Sequence, residues 1–233
     1  ITSIEGTFEE ITALYSSSGI SDLGDENIII DGDLTVGEAN IIDGLTEGTV
    51  TASILTTEIV DSLATLTGTN NSYTIKISDQ DATGTTATEL NTIDAATTVT
   101  IDAGEITGIE GTYDQIVALY ESPEVSGLDN ENISITDEIT VTQANAIDLL
   151  TTGVVTASIV TTETVDSLKT LTGTNNAYTI VISETSASAS DLNAINGLTT
   201  ATVDLTNVTS VTSSALSDLD TLSTAISLSL IHI

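Results

Sequence analysis

Carboxylates at close spacing are the residues in this chain whose types and positions could do chemistry. "DLGDEN" (Asp22–Asn27) and "GLDNEN" (Gly127–Asn132) are acidic stretches at matching positions, and "DQDATG" (Asp79–Gly84) begins like a calcium-binding loop. Hard oxygen ligands at alternating positions suit Ca²⁺. The candidate ligands are Asp22, Asp25, Glu26, Asp79, Asp81, Asp129 and Glu131. The pattern is incomplete, because no distal bidentate glutamate closes the third loop and its counterpart "ETSASAS" (Glu184–Ser190) has lost the alternation. The glycine–aspartate nonapeptide of calcium-binding β-rolls is missing as well. The expectation is therefore cations held loosely around the acids and no resident cofactor, with a defined Ca²⁺ site as the alternative.

Other chemistry finds little support. The sequence has no cysteine, which excludes thiolate metal sites, thiol catalysis and disulfides, and its one histidine is His232. Asp43, Asp61, Asp94, Asp148 and Asp166 each recur within a repeated helical segment, where one active site is not expected to repeat, and they read as solvent-facing helix acids. No catalytic residue is expected. "TLTGTNN" occurs at Thr65–Asn71 and again at Thr170–Asn176. It reads as a helix C-terminus with Gly68 and Gly173 as left-handed caps and the asparagines turning the chain, rather than as a sugar-binding loop. Threonine runs such as "TTEIV" and "TTATV" invite an ice- or sugar-binding reading, but capping and β propensity account for them. Asn70, Asn132 and Asn207 stand in N-x-S/T sequons.

Composition narrows the function classes. Two basic residues, Lys76 and Lys169, face 35 acidic ones, for a formal charge of −33. Such a surface cannot displace counterions from phosphates, so nucleic acid is excluded as a partner. Disorder is not implied, because mean hydropathy is +0.26 and the acids are dispersed rather than blocked. No apolar run is long enough for a membrane helix, so no membrane insertion is expected. With Ile1 at its start and no methionine, the chain reads as a fragment of something longer.

Internal repetition supplies the architecture. "ITSIEGTFEEITALY" from Ile1 returns as "ITGIEGTYDQIVALY" from Ile106, an offset of 105 residues. The same offset aligns Thr51–Ile75 with Thr156–Ile180 without a gap, and a slip of three then aligns Thr88–Asp102 with Ser190–Asp204. The expected divisions are a first long repeat at 1–105, a second at 106–207, the start of a third at 208–227, and a distinct tail at 228–233. Within each repeat, β-branched runs ("NIIID", "TVTASI", "YTIKIS", "TVTID") alternate with apolar residues at helical spacing, including Phe8, Ile11, Leu14 and Tyr15, then Ile59, Val60, Leu63 and Leu66, then Ile116, Leu119 and Tyr120. Capping boxes open several of these helices, at Thr7–Glu10, Thr35–Glu38, Thr86–Glu89, Thr112–Gln115, Thr140–Gln143 and Ser188–Asp191. A strand and helix this short bury too little alone, and stacking solves that. The fold class expected is α/β, a repeat solenoid of short parallel strands alternating with short helices, with tandem small β-rich domains as the alternative.

Units such as "TELNTIDAATTVTIDAGEITGIEGTYDQIVALY" and "SASDLNAINGLTTATVDLTNVTSV" resemble the internal repeats of very large secreted or cell-surface proteins of marine bacteria, cyanobacteria among them. The resemblance implies an extracellular array serving as stalk, coat or adhesin spacer, with neighbouring repeats of the same parent chain as partners and no catalysis. A calcium-dependent module that engages cell-surface glycans or other surface proteins through the acidic loops is the alternative. The tail "LSLIHI" (Leu228–Ile233) departs from the repeat and resembles the translation of a transposon-end sequencing adapter, so His232 is left out of any site.

Overall fold

In this computed structural model, residues 1–78, 85–213 and 215–225 are described. The calcium candidates Asp79 and Asp81 and the tail Leu228–Ile233 lie outside the described residues. Strands and helices alternate almost throughout. The order is β1 (Ser3–Gly6), α1 (Phe8–Tyr15), β2 (Asn27–Leu34), α2 (Val36–Asp43), β3 (Val50–Ile54), α3 (Val60–Leu63), β4 (Ser72–Thr74), α4 (Ala87–Ala95) and β5 (Ile101–Asp102). Then come β6 (Gly108–Gly111), α5 (Tyr113–Glu121), β7 (Val125–Ser126), β8 (Asn132–Ile139), α6 (Val141–Asp148), β9 (Val155–Ile159), α7 (Val165–Leu168) and β10 (Ala177–Thr179). β11 (Ser186–Ser188), α8 (Ala189–Asn196), β12 (Ser210–Thr212) and α9 (Leu216–Ala225) follow.

The chain divides into two compact units, one of Ile1–Ile109 with Asp114–Leu128, the other of Glu110–Tyr113 with Asp129–Ile233. The first contains a sheet ordered β1-β2-β3-β4 and a separate β5-β7 pair. The second sheet runs β6-β8-β9-β10, with β11-β12 as a further pair. The described pairings are parallel, as strand–helix–strand connections require. The protein is thus an α/β fold built on parallel sheets. β2 against β3 runs from Ile29↔Thr51 to Asp33↔Ser53, so β2 advances four positions while β3 advances two, and β8 against β9 repeats the shift between Ser134 and Glu138.

Inward residues alternate along each strand because the strand period is two. In the first unit Ile28, Ile30 and Leu34 lie under Val50, Ala52 and Ile54, with Tyr73, Ile75 and Ile77 beyond, and all are buried. Val36, Ala39 and Ile42 of α2 close the layer, as Val141, Ala144 and Ile147 of α6 do in the second unit. Each fully buried Ile, Leu or Val contributes roughly 1.5–3 kcal/mol relative to exposure. Capping boxes form completely at Thr7, Thr35, Thr86 and Thr140, and Ser188 accepts from Asp191 N–H.

The expected glycine caps need correction. Gly68 and Gly173 do take left-handed backbone, at φ +82 and +76, but neither caps a helix. The C-cap of α3 is Ala64 and that of α7 is Lys169. The glycines are required because a Cβ on Gly68 would stand 2.3 Å from Asn71 Nδ2 and 2.4 Å from Asp43 Oδ1, and Gly173 has the same neighbours in Asn176 and Asp148.

Candidate functional site

The first acidic loop is shaped by its backbone. Gly24 at φ +139 turns the chain so that Glu26 folds back beneath it, and Asp22 is the one described non-glycine residue with positive φ, at +62. Glu26 is 1% exposed. Its Oε2 accepts from Gly24 N–H at 2.7 Å and from the Tyr15 hydroxyl at 2.9 Å. The Gly24 amide, together with the Tyr15 hydroxyl, holds the carboxyl below its ordinary range against the burial that would raise it. Burial and then the carboxylate partner push the Tyr15 hydroxyl up to about 12. Glu26 Oε1 has no hydrogen-bond partner among the described residues. Asp22 and Asp25 are exposed, and with Leu23 and Gly24 they line an open depression of about 300 Å³.

The second loop repeats the turn. Glu131 is fully buried and its Oε1 accepts from Asp129 N–H at 2.8 Å, while Asp129 itself is exposed. In each loop, then, one glutamate is committed to its own turn and the aspartates face solvent. Among the described residues, no group of three or more His, Cys, Asp or Glu side chains is placed to hold a metal ion.

A polar network that spacing alone did not reveal lies between α2 and the Thr65–Asn71 stretch. Asn40 Nδ2 donates to Thr65 O at 2.9 Å, and its Oδ1 accepts from Thr67 N–H at 2.8 Å. Asp43 accepts from the Thr67 hydroxyl at 2.7 Å and from Asn71 Nδ2 at 2.8 Å. Asn71, itself buried, accepts from Val50 N–H at 2.9 Å, the amide that opens β3. Asn145, Asp148, Thr172, Asn176 and Val155 repeat these bonds in the second unit, at 2.6–2.8 Å. Asp43 and Asp148 are therefore half-buried bond acceptors rather than solvent-facing acids, and Asp94 likewise accepts from the Ser122 hydroxyl at 2.9 Å. Asp61 and Asp166 are exposed as expected. The twin "TNN" spelling was the available signal for this network.

Carboxylates also bind the first amide of a neighbouring helix. Glu58 Oε1 accepts from Val36 N–H at 3.0 Å, Glu163 from Val141 N–H at 2.9 Å, and Glu184 from Val165 N–H at 2.7 Å. Several acids of this chain thus act as fixed acceptors between strand–helix segments. No family model matches the chain, and neither a curated protein nor a solved structure does.

Proposed function

We propose that the chain is a non-catalytic segment of an extracellular or cell-surface repeat protein, a solenoid in which each strand–helix coil stacks on the last and serves as stalk, coat or spacer. The observation that carries this reading is the reproduction of one hydrogen-bond set at an offset of 105 residues: Asn71 to Val50 N–H and Asp43, and Asn176 to Val155 N–H and Asp148. Repeat geometry recurs in this way because each copy meets the same neighbours, whereas a reactive site gains nothing from being copied. The partners on this reading are neighbouring repeats of the parent chain.

Thermal melting across a calcium titration tests it. The expected result is a small rise in Tm without saturation at stoichiometric calcium, and the same rise with magnesium, as a diffuse counterion effect on a chain of charge −33 produces. A large, saturable and calcium-selective rise would overturn the purely structural reading in favour of a calcium-dependent adhesion module using Asp22, Asp25, Asp129 and the glutamates beside them.

A further inference from the structure

The segment after α1 and the segment after α5 are repeats of each other at an offset of 105, and the α4–β5 coil packs against the second of them. In the first unit, β7 pairs with β5: Ile101 N–H donates to Glu124 O at 2.7 Å and Ala103 N–H to Ser126 O at 2.9 Å. Ser122 reaches Asp94, Asn91 Nδ2 donates to Gln115 O at 3.1 Å, and Leu119 is fully buried. Gly127, at φ +89, lies against Gly104. A Cβ added to Gly127 would stand 2.7 Å from the Cα and N of Gly104, backbone that has no side-chain freedom with which to yield.

The equivalent residues ahead of β2 keep much of the docking chemistry, although Glu10 stands where Gln115 donates its Nε2 to Thr88 Oγ1. Leu14, Ser17, Ile20 and Ser21 stand where Leu119, Ser122, Val125 and Ser126 do. Leu14 is only half-buried and Ile20 is 45% exposed, as an uncovered copy of that face should be. The change that bears on packing is Asp22, which occupies the position of Gly127 and retains the positive φ, +62, that the glycine adopts at ease. Its backbone keeps the docked shape while its Cβ fills the space that Gly104 needs.

We infer that the face formed by α1 and Ile20–Asp22 is a docking surface for a preceding coil of the α4–β5 type, and that the Asp22 side chain closes it to such a coil. The occupant is a repeat like Thr88–Gly104, defined by a helix offering Asn and Asp toward the face and a two-residue parallel strand with a glycine two residues beyond its end. The inference rests on the stacking proposed above and adds that stacking is interrupted at a specific residue.

The test places a second copy of residues 1–105 directly ahead of Ile1 in the full chain, so that Glu105 meets Ile1 as it meets Ile106. Hydrogen exchange then reads the added copy's Ile101 and Ala103 amides. With Asp22 they are expected to exchange freely; with Asp22→Gly their exchange is expected to slow about tenfold or more. Asp22→Ala keeps the Cβ and should leave them unprotected. In the unfused chain, Gly127→Asp should expose its own Ile101 and Ala103 amides. Equal protection with Asp22 and with Asp22→Gly would overturn the inference while leaving the repeat reading intact. So would protection with Asp22→Ala, or unchanged protection after Gly127→Asp. No protection in the Asp22→Gly fusion would overturn the docking surface and the stacking proposal together.

Discussion

Asn71 and Asn176 each use both ends of one amide, the oxygen on a β-strand N–H and the nitrogen on an aspartate at the end of α2 or α6. Removing one leaves a buried donor unmatched, which costs about 1–3 kcal/mol. Asn176→Ala should lower stability by at least that much in urea unfolding. Asn176→Asp is sharper, since the shape is kept but a carboxylate replaces the donor that lies 2.6 Å from Asp148. It should destabilise strongly at pH 7 and recover in part on acidification; an unchanged midpoint at pH 7 would show that the network adds nothing to stability. Glu26 behaves in the opposite sense. Its folded pKa is lowered, so its contribution is present above the unfolded value of about 4.3 and disappears as pH falls through the folded value. Glu26→Gln should therefore be less stable than the parent at pH 7, with the gap closing below about pH 4. A gap that widens in acid would contradict the hydrogen-bonded, ionised carboxylate.

At the scale of elements, the starts of α2, α6 and α7 are each held twice. Thr140 accepts from Gln143 N–H within its own capping box, while Glu163 accepts from Val141 N–H from the next segment. Thr140→Ala should cost about 1 kcal/mol, the usual value of an N-cap. Glu163→Ala should add to it, because a different orphan amide is exposed, and unfolding of the double variant measures the sum. A double variant no less stable than Thr140→Ala would show that the carboxylate does not cap. The helix starts were legible in the sequence because a capping box is local, and the strands were legible because β-branched alternation is local too. α3 was not. Ile59, Val60, Leu63 and Leu66 have helical spacing, but the helix is one turn, Val60–Leu63. Asn40, from another element, takes the Thr65 carbonyl and the Thr67 amide that a second turn would have used. The acidic loops were legible as acidic but not as to which acid turns inward, since that depends on Gly24 at φ +139 and on Tyr15, eleven residues before Glu26. Local signals survive in a sequence; a bond between segments does so only when a repeat writes it twice.

For the whole molecule the governing quantity is charge. A formal charge of −33 repels itself most when the chain is compact, and only two lysines answer it, Lys76 to Glu105 at 2.9 Å and Lys169 to Asp166 and Asp191 at 2.9 and 2.8 Å. Salt acts on attraction and repulsion alike. It weakens these ion pairs, which contribute little to begin with, and it screens repulsion among 35 acids. The Debye length falls from about 30 Å at 0.01 M to about 3 Å at 1 M, so repulsion between neighbouring segments is cut far more than contact pairs are. Repulsion among the acids outweighs the attraction of two lysines, and stability should rise with salt. Thermal melting at pH 7 should therefore show Tm climbing by several degrees from about 0.01 M to 1 M sodium chloride. Choosing sodium chloride keeps the result separate from surface-exclusion effects of the kind sulfate brings. Lys169→Ala should leave the slope of Tm against salt nearly unchanged, because one lysine's pairs are a small part of the total. A Tm that falls with salt would mean that the two lysines outweigh the acids, and that the carboxylates bound to amides and hydroxyls have already absorbed the repulsion.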